Sequence, residues 1–108
     1  MNIEEIISKL QPRIIAEFNP KYIFMFGSYA KKNQTVESDL DLAVIVDLAD
    51  KTLLKVLNRR ASQLLWELKL DIPVDLIIMS LSFFNERKLS PATFAGTISR
   101  EGKLLYAA

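Results

Sequence analysis

The run LDLAVIV at residues 40–46 is apolar enough for a buried strand, yet Asp39 stands immediately before it and Asp41 one residue inside it. Side chains alternate across a strand, so the two aspartates point to one face while Leu40 and Leu42 point to the other. Their Cα atoms are then roughly 6.5–7 Å apart, close enough for both carboxylates to converge on one cation. A second apolar run, VDLIIM at 74–79, repeats the anomaly with Asp75. If the two strands are neighbours, three carboxylates share a patch at the sheet edge. Burying such charges costs several kcal/mol per ion unless they are paired, and neither run contains a lysine or arginine. A divalent metal is the natural compensation. Oxygen-only donors indicate Mg²⁺ or Mn²⁺, and Mg²⁺ held by few carboxylates completes its shell with water and substrate phosphates, so a nucleoside triphosphate is the expected ligand. Taken alone, Asp39 reads as a turn or cap residue, and Asp47, Asp50 and Asp71 read as ordinary loop and cap acids. Asp41 and Asp75, inside apolar strands, resist that reading.

The rest of the inventory narrows the chemistry. With no cysteine and no histidine, disulfides, thiolate nucleophiles, imidazole bases and nitrogen or sulfur metal sites are excluded. A formal net charge of +1 gives no ground for direct nucleic-acid binding. Gly27, Gly96 and Gly102 are the chain's glycines, too few and too dispersed for a dinucleotide fingerprint or a P-loop. A chain of 108 residues, half hydrophobic and a quarter charged, is expected to form one domain over 1–108. The absence of a secretory leader and of any membrane-length apolar run points to a soluble, cytoplasmic protein.

Helical and strand periodicities alternate along the chain. Ile3, Ile6, Ile7, Leu10, Ile14 and Ile15 predict an amphipathic helix over 3–18, which Pro12 should kink or split and Asn19-Pro20 should stop. Strands follow at 21–26, 40–46 and 74–79, with a short helical turn after Gly27 and a long amphipathic helix over 51–70. The remainder reads as a short helix, a turn at Ser90 and Pro91, a helix to about residue 100 and a closing strand at 103–106. The fold class expected is α/β: a small mixed sheet with helices packed on one face. Trp66, Phe83, Phe84 and Phe94 read as core residues rather than base-stacking platforms.

Gly27 follows a strand and precedes a turn, where a missing side chain permits positive φ and lets a phosphate approach the backbone. Ser28 would begin a short helix with amide and hydroxyl toward an anion. A glycine–serine pair is by itself a common turn; beside cation-binding acids it completes a site for a metal–triphosphate complex. Lys31 and Lys32 are candidate phosphate contacts or simply a solvated pair, and Arg59 and Arg60 carry weaker grounds still.

The stretch GSYAKKNQTVESDLDLAV, followed by Asp75 on a later strand, resembles the signature of the nucleotidyltransferase superfamily. The GSxA form is similar to the minimal nucleotidyltransferases, often antitoxin halves of two-component modules whose partner is a HEPN-domain toxin. The resemblance implies a polymerase-β-like fold in which Asp39, Asp41 and Asp75 bind Mg²⁺, two ions being expected, with Asp75 also activating the acceptor hydroxyl. It implies a nucleotide-holding set of Gly27, Ser28, Lys31 and Ser38, with ATP as the AMP donor. Many relatives carry Arg-Gly where this chain has Lys31 and Lys32, which keeps charge but loses the guanidinium fork. With little chain left for an acceptor-binding domain, the acceptor is expected from outside, the resemblance suggesting a tyrosine of the toxin in a hetero-oligomer. The alternatives are a non-catalytic antitoxin that covers its toxin, and a small-molecule transferase of the aminoglycoside-modifying kind, built as a homodimer.

Overall fold

The structure is a computed structural model that describes residues 2–32 and 39–108. Helix α1, Ile3–Phe18, starts where the Asn2 side chain accepts from the Glu5 amide at 2.8 Å, and Glu4 and Glu5 in its first turn favour the helix dipole. Ile6, Leu10, Ile14 and Phe18 recur every fourth residue and are buried. Pro12 does not split the helix. It lies on the solvent side, where its missing amide disturbs no packing. The stop expected at Asn19 is real: its backbone turns left-handed, φ 47°, and its amide donates to the Ile15 carbonyl at 3.0 Å.

The elements that follow are β1 (Tyr22–Phe26), α2 (Gly27–Lys31), β2 (Leu40–Val46), α3 (Lys51–Leu68), β3 (Val74–Ser80), α4 (Leu81–Arg87), α5 (Phe94–Glu101) and β4 (Lys103–Ala107). The sheet runs β3-β2-β1-β4. β2 and β3 are parallel, while β1 is antiparallel to both β2 and β4. This is the mixed α/β sheet expected, but the helices flank both faces rather than one. Alternation explains it. Leu40, Leu42, Val44 and Val46 of β2 face a large cluster with α1 and α3, whereas Ala43 and Ile45 face a smaller cluster with Phe84 of α4 and Ala95 and Ile98 of α5. A strand apolar on both sides must be covered on both.

α3 begins at Asp50, whose carboxylate accepts from the Thr52 and Leu53 amides at 2.8 and 3.1 Å, the cap role expected of it. Asn58 then reaches from α3 to the outer edge of β3: its carboxamide accepts from the Ile78 amide at 3.0 Å and donates to the Ile78 carbonyl at 3.1 Å. A side chain thus takes the place of a neighbouring strand. Of the four aromatics expected in the core, only Phe84 is buried; Phe83 and Phe94 are about two-fifths exposed and Trp66 is 83% exposed. Trp66 lies two residues from buried Leu64 on α3, about 200° around the helix and so on its far side. Among the described residues no helix is long and apolar enough to cross a membrane.

Candidate active site

The strand register assembles the acids. In the parallel β2–β3 ladder Asp41 stands opposite Asp75, and in the antiparallel β1–β2 ladder it stands opposite Phe26. Phe26, Asp41 and Asp75 thus form one row across three adjacent strands. Asp39 lies two residues before Asp41, on the same side by alternation. Asp39 and Asp75 are exposed and Asp41 is half-buried.

Burial pushes the Asp41 carboxyl above its ordinary value, and repulsion from Asp75 and then Asp39 adds to the rise. The side chains therefore sense one another. No lysine or arginine forms an ion pair with them among the described residues. The donor chemistry suits a hard divalent cation: carboxylate oxygens only, and a repulsion that a cation would relieve. Among the described residues no three acidic side chains are gathered closely enough to hold a metal ion, so the three-carboxylate site expected from the sequence is not assembled here. Asp41 and Asp75 are direct register partners, and Asp75 perturbs Asp41 more than does Asp39, which lies just before the strand.

Gly27 closes the site from the β1 side. Its φ is +72°, in the left-handed region, and a Cβ built there would collide with the Asp41 carboxylate, lying 3.2 Å from its Cγ. Both the turn and the approach to Asp41 require glycine. Ser28 follows as the second residue of α2 and is half-buried. α2 ends at Lys32, also left-handed at φ 59°, whose amide donates back to the Ser28 and Tyr29 carbonyls.

The lysines and arginines singled out in the sequence occupy other positions. Lys31 Nζ lies 3.6 Å from Glu101 Oε2 at the end of α5, a partner that sequence spacing does not reveal. Arg60 bonds Glu17 of α1 and Glu67 of α3, at 2.5 and 2.9 Å, and serves to tie two helices together. Ser38 lies outside the described residues.

Sequence reasoning also missed Phe26 and Phe94, whose rings meet edge to face at 5.1 Å and 82°. The only cue was the position of Phe26 directly before Gly27. A concavity of about 690 Å³ lies elsewhere, on the outer side of α1 along Ile7, Pro12, Ile15 and Ala16. It contains none of Asp39, Asp41 and Asp75. Its lining adds Glu4, Ser8 and Gln11 to the apolar residues, with no facing carboxylates like those of Asp41 and Asp75.

Residues 4–108 match the family described as polymerase beta, nucleotidyltransferase. The chain is similar to a putative protein adenylyltransferase of Methanocaldococcus jannaschii, 29% identical over 104 residues that span 96% of this chain and 94% of that protein. Among solved structures, it resembles a chain of a toxin–antitoxin crystallised with AMP-PNP, at 26% identity and a TM-score of 0.54, covering all of this chain and 75% of the other. A mutant of the MntA–HpeT toxin–antitoxin, at 24% identity and a TM-score of 0.53 with 75% of that chain covered, shares the fold.

Proposed function

Because the chain belongs to the polymerase beta nucleotidyltransferase family, whose match spans residues 4–108, we propose that it moves AMP from ATP to a tyrosine hydroxyl of a partner toxin of the HEPN kind, and so acts as an antitoxin. The observation that carries this reading is the register that sets Asp75 against Asp41 beside Gly27. Its support comes from the resemblance to a protein adenylyltransferase and to toxin–antitoxin structures, one of them with an ATP analogue.

In this reading Asp39, Asp41 and Asp75 hold Mg²⁺, or Mn²⁺ in its place. When bound, the metal supplies positive charge that offsets the charge on the attacking and departing oxygens. Gly27 keeps the turn open so that the triphosphate reaches the backbone, and Ser28 turns its amide and hydroxyl toward it. Lys31 leaves Glu101 to meet a phosphate oxygen, and Ser38 borders the nucleotide. The acceptor oxygen attacks the α-phosphorus in line, the bond to the β-phosphate oxygen breaks and pyrophosphate departs. The acceptor proton passes to a carboxylate oxygen of Asp75, which stands exposed at the edge of the sheet where an incoming hydroxyl can reach it.

Incubation with Mg²⁺, α-labelled ATP and the protein encoded beside this one tests the proposal. Label on a tyrosine of that protein, lost in Asp41→Asn, is the expected result. A second reading draws on the Lys31–Glu101 pair, which leaves the phosphate-side lysine already engaged: a binding module that silences its partner by covering it. A tight complex without label, unchanged in Asp39→Ala, would establish that reading and refute the first.

A further inference from the structure

Lys51, Lys55, Arg59, Ser62, Trp66 and Lys69 recur at the period of an α-helix, so they form one line along α3 and just past its end, and all six are exposed. Four of them are cations. No acid interrupts the line, and none of the four cations forms an ion pair among the described residues. The one acid of α3, Glu67, is already held by Arg60 and Arg13. The chain's formal net charge is only +1, so a line this basic leaves the remainder acidic on balance.

Trp66 makes the line more than a solvated charged face. Its indole is 83% exposed, raised between a hollow of about 550 Å³ that it shares with Gln63 and one of about 390 Å³ that it shares with Lys69 and Leu70. Val56, 47% exposed, lies on the flank. An uncovered tryptophan beside unpaired cations is the composition of a protein-binding hot spot.

Asn58 locates the line in the molecule. It lies three residues after Lys55 and four before Ser62, hence alongside them, and its carboxamide reaches the outer edge of β3 at Ile78. The crossover from β2 to the parallel β3 makes α3 run antiparallel to β3. Asp75 stands three residues before Ile78, about 10 Å along the strand, a distance that α3 covers in about seven residues. Trp66 is therefore close to level with Asp75, on the side where β3 ends the sheet order among the described residues.

We infer that this line is the docking surface for an acidic face of the protein that presents the acceptor hydroxyl. The inference rests on the reading of Asp75 as the group that meets that hydroxyl. A protein that approaches Asp75 from beyond β3 comes to rest on α3, where its carboxylates meet four cations that no described residue neutralises. A single-stranded nucleic acid would use the charge and the indole but leave Val56 bare, and the line repeats no stacking platform for successive bases.

The test measures the affinity of the full chain for the protein encoded beside it, in wild type, Trp66→Ala and the double variant Lys55→Glu with Arg59→Glu. Melting temperatures check the fold of each, and AMP-PNP binding checks its site. The expected result is affinity at least about tenfold weaker in both variants, with AMP-PNP binding unchanged. Wild-type affinity should also fall with added salt more steeply than that of the double variant. In the labelling reaction the KM for the neighbouring protein should rise while kcat holds. Unchanged affinity in either variant, or no binding by wild type, overturns the inference, and a fluorescent single-stranded RNA that binds wild type but neither variant would then identify the occupant as nucleic acid. Binding that both variants lose, with no label ever reaching the neighbouring protein, keeps the docking surface and overturns the transfer reading.

Discussion

Gly27 and Asp41 depend on each other at atomic range. Gly27→Ala forces a side chain into left-handed backbone, at roughly 1–2 kcal/mol, and also against the Asp41 carboxylate. We expect a lower urea midpoint together with loss of transfer; a variant of wild-type stability would show that the turn can rearrange. Asp41 itself stands as a local cost to the fold. Its carboxyl is raised above 3.8 by burial and by Asp75 and Asp39. A carboxyl that holds its proton more tightly folded than unfolded favours the fold while protonated, and withdraws that support as pH rises through the interval above its ordinary value. Asp41→Asn should therefore melt at or above the wild-type temperature at neutral pH in chelator. The difference should close as pH falls toward 3.8. Thermal scans at several pH values check this, and a variant that melts lower at neutral pH without metal contradicts it. That Asp41 and Asp75 were anomalous could be seen in the sequence, because an acid in an apolar strand is a local violation. That Lys31 pairs with Glu101 could not, since the two residues meet only through the packing of α5 beside α2.

Asn58 and Arg60 show how one helix holds its neighbours. β3 is an outer strand, and the Asn58 carboxamide satisfies both backbone groups of Ile78. Asn58→Leu leaves these groups unpaired on a half-buried edge and should cost about 1–3 kcal/mol; chemical denaturation measures it. Hydrogen exchange should also speed up at Ile78 more than at the β1 amides. On the same helix Arg60 holds the carboxyls of Glu17 and Glu67 below their ordinary 4.5, chiefly through its hydrogen bonds. Stability from such lowered groups is present above 4.5 and is lost as pH falls through their folded values. Arg60→Gln should flatten the acid limb of the melting curve, modestly and less so in high salt, because the network is exposed. An acid limb as steep as wild type would deny the clamp any energetic role. Element positions were largely legible, since caps such as Asp50 and stops such as Asn19 act within a turn or two of chain. The edge-sealing role of Asn58 was not, because it requires knowing that β3 stands at the end of the sheet order among the described residues.

At the scale of the whole molecule the sheet order makes the site. The arrangement β3-β2-β1-β4 sets Asp75, Asp41 and the Gly27 turn side by side. A divalent ion there should stabilise the folded chain by mass action. Mg²⁺ is expected to raise the wild-type melting temperature and to do little for Asp41→Asn or Asp75→Asn; an equal rise in all three would place the ion elsewhere. The α3 surface carries the chain's one tryptophan, Trp66, 83% exposed. Its fluorescence should resemble that of tryptophan in water and change little on unfolding, a direct check on which side of α3 meets the sheet. From the sequence alone came the alternation of helices and strands, the misfit acids and the glycine–serine turn, because periodicity, capping and burial cost act between residues near in the chain. Tertiary structure alone decided that the acids would share a row, that helices would cover both faces, that Lys31 would face Glu101 and that Phe94 would stand uncovered beside Gly27. Each of these depends on register and packing between distant segments, where the energy belongs to the contact and not to either segment by itself.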